Sequence, residues 1–224
     1  MKKLVLILLS LLVVSDVSPQ MVRRRVTKNY SDTFAGTSLN AKWTEYDPVG
    51  DVTVSVGSGV LTASIPAGTD HDLYTATDHA VRIRQTYTGS TNFTLEAKFT
   101  TDLTTNYQFH GINVGTDNSN CARFDLVYMD GAIYCIGATF SSMTYSEIIN
   151  DERGEIFQPY YIRVVKSGTS YTFYLSSDGS SWTSIASGTY SGTVNQIGIH
   201  FGTATGATSP AFSGTCDYFT YTAN

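Results

Sequence analysis

The chain has 224 residues, 42% of them hydrophobic, 12% aromatic and only 15% charged, with a net charge of -5. That balance, 19 acidic against 14 basic side chains, excludes a nucleic-acid binder that works through phosphate electrostatics. The aromatic content excludes a disordered chain, and the scattered glycines exclude a collagen-like repeat.

Met1-Lys2-Lys3, followed by an apolar run from Leu4 to Val14 broken only by Ser10, reads as the n- and h-regions of a signal peptide. The run is too short to cross a ~30 Å hydrocarbon core as a helix, so no stable membrane span is expected. Arg23, Arg24, Arg25 and Lys28 follow it, and positive charge on that side opposes translocation. Two readings stand: cleavage between Ser15 and Gln20, giving a secreted or surface-displayed protein, or a start at Met21, giving a cytoplasmic one. The chain divides into a leader at 1–20, a basic linker at 21–29 and one β domain at 30–224.

From Tyr30 onward, short alternating runs are separated by turn signals roughly every 8 to 12 residues, the spacing of an all-β sandwich. Strands are expected at Val52 to Val56, Val60 to Ile65, Phe93 to Phe99, Ile162 to Val165, Tyr171 to Leu175 and Ile197 to Phe201. Phe93, Leu95, Ala97 and Phe99 fall on one side of their run, with Thr94, Glu96 and Lys98 on the other. Turns are expected at Asp130-Gly131, Ser167-Gly168 and Asp178-Gly179. Tyr145 to Asn150 is the only helical candidate and is too short to matter, and Asn150 to Gly154 reads as a polar turn.

A two-residue loop at Asp130-Gly131 sets Cys135 opposite Leu126 and Cys121 opposite Phe140. A Cys121–Cys135 disulfide would need a slip that turns one strand inside out, so a bridge would have to use Cys216, and buried free thiols are the default. The same treatment leaves Arg123, Asp125 and Tyr134 off the core face. A two-residue loop at Ser167-Gly168 sets Ile162 against Phe173, Tyr161 against Tyr174 and Arg163 against Thr172.

Four blocks carry a resemblance. Ser31-Asp-Thr-Phe-Ala-Gly-Thr-Ser-Leu-Asn-Ala-Lys-Trp43, Gly59 to Ile65 and Arg82 to Phe99 come in order along the chain. They are followed by Tyr161-Ile-Arg-Val-Val-Lys-Ser-Gly-Thr-Ser-Tyr-Thr-Phe-Tyr-Leu-Ser-Ser-Asp-Gly-Ser-Ser-Trp182, and Cys216 to Tyr221 is similar to a closing strand. The chain resembles the concanavalin A-like lectin/glucanase superfamily, closest to the accessory domains at the C-terminus of β-xylosidases. The resemblance implies an all-β, two-sheet antiparallel jelly-roll sandwich, and it implies no one function, because function varies across the superfamily.

Glucanases on this fold alternate two glutamates and an aspartate along a concave strand. The glutamates here are Glu45, Glu96, Glu147, Glu152 and Glu155, and their nearest cluster reads as a solvated loop, so no catalytic residue is assigned. The lyases on this fold are suggested only superficially by Arg82-Ile-Arg-Gln85 and Gln196-Ile-Gly-Ile-His200. His71-Asp72 and Asp78-His79 lack a third ligand of diagnostic spacing and read as hydrated loops. By resemblance, a structural calcium would take Asp32 and Asp217, though Asp217 serves equally as a turn cap.

A binding face remains. Of the five arginines beyond residue 30, Arg82, Arg84, Arg123 and Arg163 lie mid-strand off the core face, near Tyr161, Tyr174, Tyr134 and Asp125. Aromatic faces stack on sugar rings and guanidinium forks bind hydroxyls or carboxylates. A stabilising cross-strand Tyr161/Tyr174 pair explains the aromatics equally well. The function expected is a non-catalytic carbohydrate-binding, lectin-like domain that docks a glycan on the concave sheet, with an acidic sugar favoured by the arginines. Tyr174→Ala is then expected to weaken glycan retention. The alternatives are a self-associating structural subunit of an extracellular or viral assembly, and a polysaccharide hydrolase or lyase with a divergent site.

Overall fold

The computed structural model describes residues 28–154, 156, 158–204 and 209–224. The leader and most of the basic linker lie outside the described residues. Lys28, at the linker's end, donates to the Thr86 carbonyl (2.8 Å).

The described residues form sixteen strands: β1 (Thr44–Tyr46), β2 (Thr53–Gly57), β3 (Val60–Ile65), β4 (Leu73–Tyr74), β5 (Thr77–Asp78), β6 (Val81–Thr86), β7 (Phe93–Phe99) and β8 (Gln108–Gly115), then β9 (Cys121–Met129), β10 (Ala132–Ser141), β11 (Thr144–Gly154), β12 (Tyr160–Ser167), β13 (Ser170–Ser176), β14 (Thr183–Thr189), β15 (Gln196–Thr203) and β16 (Phe212–Ala223). Two seven-stranded antiparallel sheets pack as a sandwich, consistent with a jelly-roll. The front sheet runs β1-β6-β15-β8-β9-β10-β11 and the back sheet β14-β13-β12-β7-β16-β3-β2, while β4 and β5 form a separate hairpin.

Alternation along the strands decides what lies between the sheets. Phe93, Leu95, Ala97 and Phe99 of β7 are all 0% exposed, while Thr94, Glu96 and Lys98 are half-buried. Ile83, Ile112, Phe124 and Ile199 meet them from the front sheet. Phe124 stacks on Tyr171 at 5.4 Å and Phe99 meets Phe201 edge-on at 5.7 Å. Burying each such ring contributes about 1.5–3 kcal/mol.

The Asp130-Gly131 turn has the expected register, with Cys135 opposite Leu126 and Cys121 opposite Phe140. Both turn residues have positive φ, 51° and 87°, as a tight primed turn requires. Cys121, Cys135 and Cys216 are buried free thiols.

Two expectations need correction. The β12–β13 loop is Gly168-Thr169, one residue later than expected, so Tyr161 faces Ser176 and Tyr174 faces Arg163. A shift of two positions in the pairing keeps every side chain on its expected face but makes Tyr161 and Tyr174 diagonal neighbours. Residues 145–154 form neither helix nor turn. They belong to β11, which pairs with β10 from Ser141↔Thr144 to Ile133↔Gly154 through two bulges. This strand is polar because it is the free edge of its sheet, where apolar residues would invite pairing with another chain.

Candidate functional site

The outward face of the front sheet is partly covered. Residues 66–80, which include the β4–β5 hairpin, form a strap across it. Gly68 N donates to the Ser209 carbonyl (2.9 Å), His71 N to Thr203 (2.8 Å) and Ala76 N to Met143 (3.1 Å). Gly202 lets the strap lie this close: a Cβ there would stand 2.2 Å from the His71 carbonyl oxygen and 2.1 Å from the Phe109 ring. Leu73 and Ala80 of the strap join Phe109, Val127, Ile136 and Phe140 in a second apolar cluster on the outward face.

Beneath the strap runs a row of charged side chains fixed by register. Arg82 on β6 pairs with His200 on β15, His200 with Gly111 on β8, and Gly111 with Asp125 on β9. Gly111 has no side chain to separate its neighbours, so His200 Nε2 and Asp125 Oδ1 meet across it at 2.5 Å, both fully buried. A Cβ on Gly111 would fall 2.8 Å from that Asp125 oxygen. Arg123 Nε lies 3.0 Å from Asp125 Oδ2, and its Nη1 lies 3.8 Å from Asp72 of the strap.

Arg82 is ion-paired with Asp78, donates to the Asn118 carbonyl (3.1 Å) and sits 4.7 Å from the Tyr46 ring centre. Arg84 donates to Asn118 Oδ1 and Gln196 Oε1, both at 2.7 Å. Burial disfavours the charge on both guanidiniums and pulls Arg84 down to about 10. The arginines expected to greet a ligand are therefore buried: Arg82 is 0% and Arg84 6% exposed. Their faces follow the strand period, but Tyr46 and Asn118, which close over both guanidiniums, come from elsewhere in the chain.

Beside the strap opens a cleft of about 540 Å³. Tyr74, Tyr107, Phe109 and Tyr145 supply its aromatic walls, Asp70, Asp72, Glu147 and Asn150 its polar groups, and Arg123 reaches into it from the sheet. Tyr74 and Tyr107 are 48% and 40% exposed, the exposed large hydrophobic side chains among the described residues. Tyr74 packs against Tyr145 at 4.6 Å. The Tyr145 hydroxyl and the Asn150 amide both donate to Glu147 Oε2, at 3.1 and 3.2 Å. Burial pushes the Asp72 carboxyl upward, against the pull of Arg123.

No family model matches the chain, and no curated protein matches it. Solved structures do match, as a fold. Over 87% of this chain the GH43 protein BlXynB from Bacillus licheniformis superposes with a TM-score of 0.67 at 16% identity. The xylan beta-1,4-xylosidase from Bacillus halodurans gives 0.62 at 15% identity over the same share. This chain spans about two fifths of each of those proteins, 39% in both cases. The CBM2 module of the evolved Dit of Lactobacillus casei BL23 phage J-1 gives 0.65 at 13% identity, covering 85% of this chain and 94% of the module. The front and back sheets are thus a sandwich also found in carbohydrate-active enzymes.

The eight expected ligand residues divide between two opposite surfaces. Arg82, Arg84, Arg123, Asp125 and Tyr134 face outward from the front sheet, and of these only Arg123 lines the cleft. Tyr134 donates to Glu152 Oε2 at 3.1 Å nearer the sheet edge. Tyr161, Arg163 and Tyr174 lie on the outer face of the back sheet. There Arg163 donates to Glu96 Oε2 (2.9 Å) and lies 3.7 Å from the Trp182 ring centre. The Tyr218 hydroxyl donates to Glu96 Oε1 (2.8 Å).

Asp32 and Asp217 are engaged separately. Asp32 accepts from Phe34 N (2.9 Å) and Trp43 Nε1 (2.8 Å) and pairs with Lys42. Asp217 pairs with Lys98 at 2.6 Å and accepts from Thr100. Sequence reasoning passed over Asp70, Tyr74, Tyr107 and Tyr145, and it weighed Asp72 and Glu147 only as loop residues. The available signal was tyrosines set in turn-like, polar stretches, where no core claims them.

Proposed function

We propose that this chain is a non-catalytic carbohydrate-binding domain that holds a glycan in the cleft between strap and front sheet, in an exported or surface-displayed protein. The observation that carries the reading is the exposed pair Tyr74 and Tyr107 beside carboxylate and amide groups in one 540 Å³ cleft. Flat rings stack on the apolar faces of sugars, and carboxylates accept from sugar hydroxyls. The fold's likeness to proteins named as xylosidases and as a CBM2 module supports a carbohydrate ligand.

Charge narrows the ligand. Three carboxylates, Asp70, Asp72 and Glu147, line the cleft against one guanidinium, and Arg123 is already held by Asp125. Of the arginines behind the acidic-sugar expectation, Arg82 is paired with Asp78, Arg84 is held by Asn118 and Gln196, and Arg163 is paired with Glu96 on the opposite surface. A neutral or amine-bearing sugar suits the cleft better than a uronic acid.

Tyr107→Ala is expected to weaken binding roughly tenfold or more, about 1.4 kcal/mol, with little change in the unfolding midpoint. Tyr174→Ala, on the opposite surface, is expected to leave binding unchanged. Calorimetric titration of neutral, acidic and amino-oligosaccharides into residues 28–224 tests both. Loss of binding in Tyr174→Ala but not in Tyr107→Ala would move the site to the back sheet.

A further inference from the structure

We propose that Asp47, Asp51 and His71 form a binding site for a divalent transition-metal ion, zinc being the chemical type, which clamps the strap to the β1–β2 loop. The inference does not rest on the glycan reading.

His71 is fully buried, and its Nδ1 lies 3.0 Å from the Thr69 carbonyl oxygen. A carbonyl only accepts, so Nδ1 carries the proton. Nε2 is thereby turned toward Asp51 Oδ1, 2.6 Å away. A contact of this length holds a proton between nitrogen and oxygen, and a divalent ion would displace that proton and take both atoms as ligands. Nδ1–H on a backbone carbonyl with Nε2 aimed at the carboxylates is the arrangement that fixes a metal-bound histidine.

A second carboxylate completes the donor set. The ligand atoms of Asp47, Asp51 and His71 all lie within 4.8 Å of one another. Asp47 is oriented from behind by Val49 N (3.2 Å) and Val52 N (2.8 Å). Four other carboxylates that tie strands or loops together have a basic partner: Asp32 has Lys42, Asp78 has Arg82, Asp217 has Lys98 and Glu96 has Arg163, whereas Asp117 and Asp178 hold exposed turns through backbone N–H groups. Among the described residues no lysine or arginine pairs with Asp47 or Asp51. Two carboxylates facing one buried imidazole leave negative charge that a divalent ion would neutralise.

One imidazole and two carboxylates suit zinc or a neighbouring first-row ion with water at the open position, whereas calcium asks for six or more oxygens. The pairing ties residues 47–51 to the strap one residue before Asp72 of the cleft.

The test uses the full chain, stripped of metal and titrated calorimetrically with zinc chloride and, separately, calcium chloride. One zinc per chain is expected, with the unfolding midpoint rising by about 5–10 °C at a hundredfold excess over Kd. Asp51→Asn is expected to weaken zinc binding roughly tenfold or more and to fold normally, since the Asp51 side chain is a third exposed. His71→Gln should abolish binding, and if it fails to fold, Asp47→Asn takes its place. The site is overturned if the parent shows no saturable zinc binding, if it binds calcium in preference to zinc, or if binding survives Asp51→Asn and Asp47→Asn undiminished.

Discussion

Asp125→Ala is expected to cost about 3–5 kcal/mol of folding stability, the largest single-residue effect outside the hydrophobic core. The carboxylate is fully buried, with His200 Nε2 at 2.5 Å on one oxygen and Arg123 Nε at 3.0 Å on the other. Removing it leaves a guanidinium that is 7% exposed with Asp72, 3.8 Å away, as its one remaining carboxylate among the described residues, beside the rings of Phe109, Phe140 and Tyr145. Stranding a buried charge is what makes such a deletion expensive, because the lost Coulomb attraction no longer offsets desolvation. Against a total of about 5–15 kcal/mol for a typical domain, that is a large share. Asp125→Asn keeps the shape and should cost less. Asp125→Leu combined with Arg123→Met removes both charges and should recover much of the loss. Urea denaturation of the four proteins decides the matter. An Asp125→Ala variant within about 1 kcal/mol of the parent would mean that the pair behaves as an exposed ion pair does.

That network also explains where sequence reading stops. Period-two alternation placed Arg82, Arg84, Arg123 and Asp125 on the non-core face, and that is where they lie. What alternation cannot contain is a cover. Residues 66–80 reach the front sheet through Gly202, over a hundred positions away, and nothing local in Leu73 or His71 announces the contact. The Asp130-Gly131 hairpin was legible because its turn chemistry and its strands agree. The β12–β13 hairpin slipped by one loop residue because Ser167-Gly168 and Gly168-Thr169 offer the same glycine to a tight turn.

Edge strand β11 hid for a different reason. Its outward side lines a polar cleft with Glu147 and Asn150, and its free edge excludes apolar residues, so the alternation that marks a half-buried strand is erased. The residues of the proposed ligand site on this strand are the ones that least resemble strand. Tyr74 and Tyr107 are the converse: aromatics without an apolar period around them. On the proposed reading, exposed rings beside carboxylates mark the ligand site, while Arg82, Arg84 and Arg123 are engaged by Asp78, Asn118, Gln196 and Asp125.

Stability should fall steeply as the solution is acidified, and His110 is expected to be a principal cause. Its ring lies between the sheets, stacked on Phe99 at 4.4 Å and 6° and tilted against Tyr160 at 5.4 Å. Neither ring nitrogen has a hydrogen-bond partner among the described residues. Burial, with a smaller contribution from nearby His200, pulls its pKa down from 6.5 to about 3. The unfolded chain therefore takes up a proton between pH 6.5 and about 3 that the native protein refuses. Stability rises with pH across that window at up to about 1.4 kcal/mol per unit: the contribution is fully present above 6.5 and is lost as the pH falls toward 3. His110→Leu abolishes this proton uptake and deletes two unpaired polar atoms, so it should match or exceed the parent at pH 7.5. Between pH 7.5 and 5 the parent should lose about 2 kcal/mol more than the variant, measured by urea midpoints at each pH. Equal losses in the two proteins would show that His110 takes up its proton as readily folded as unfolded, a result incompatible with a dry ring packed flat against Phe99.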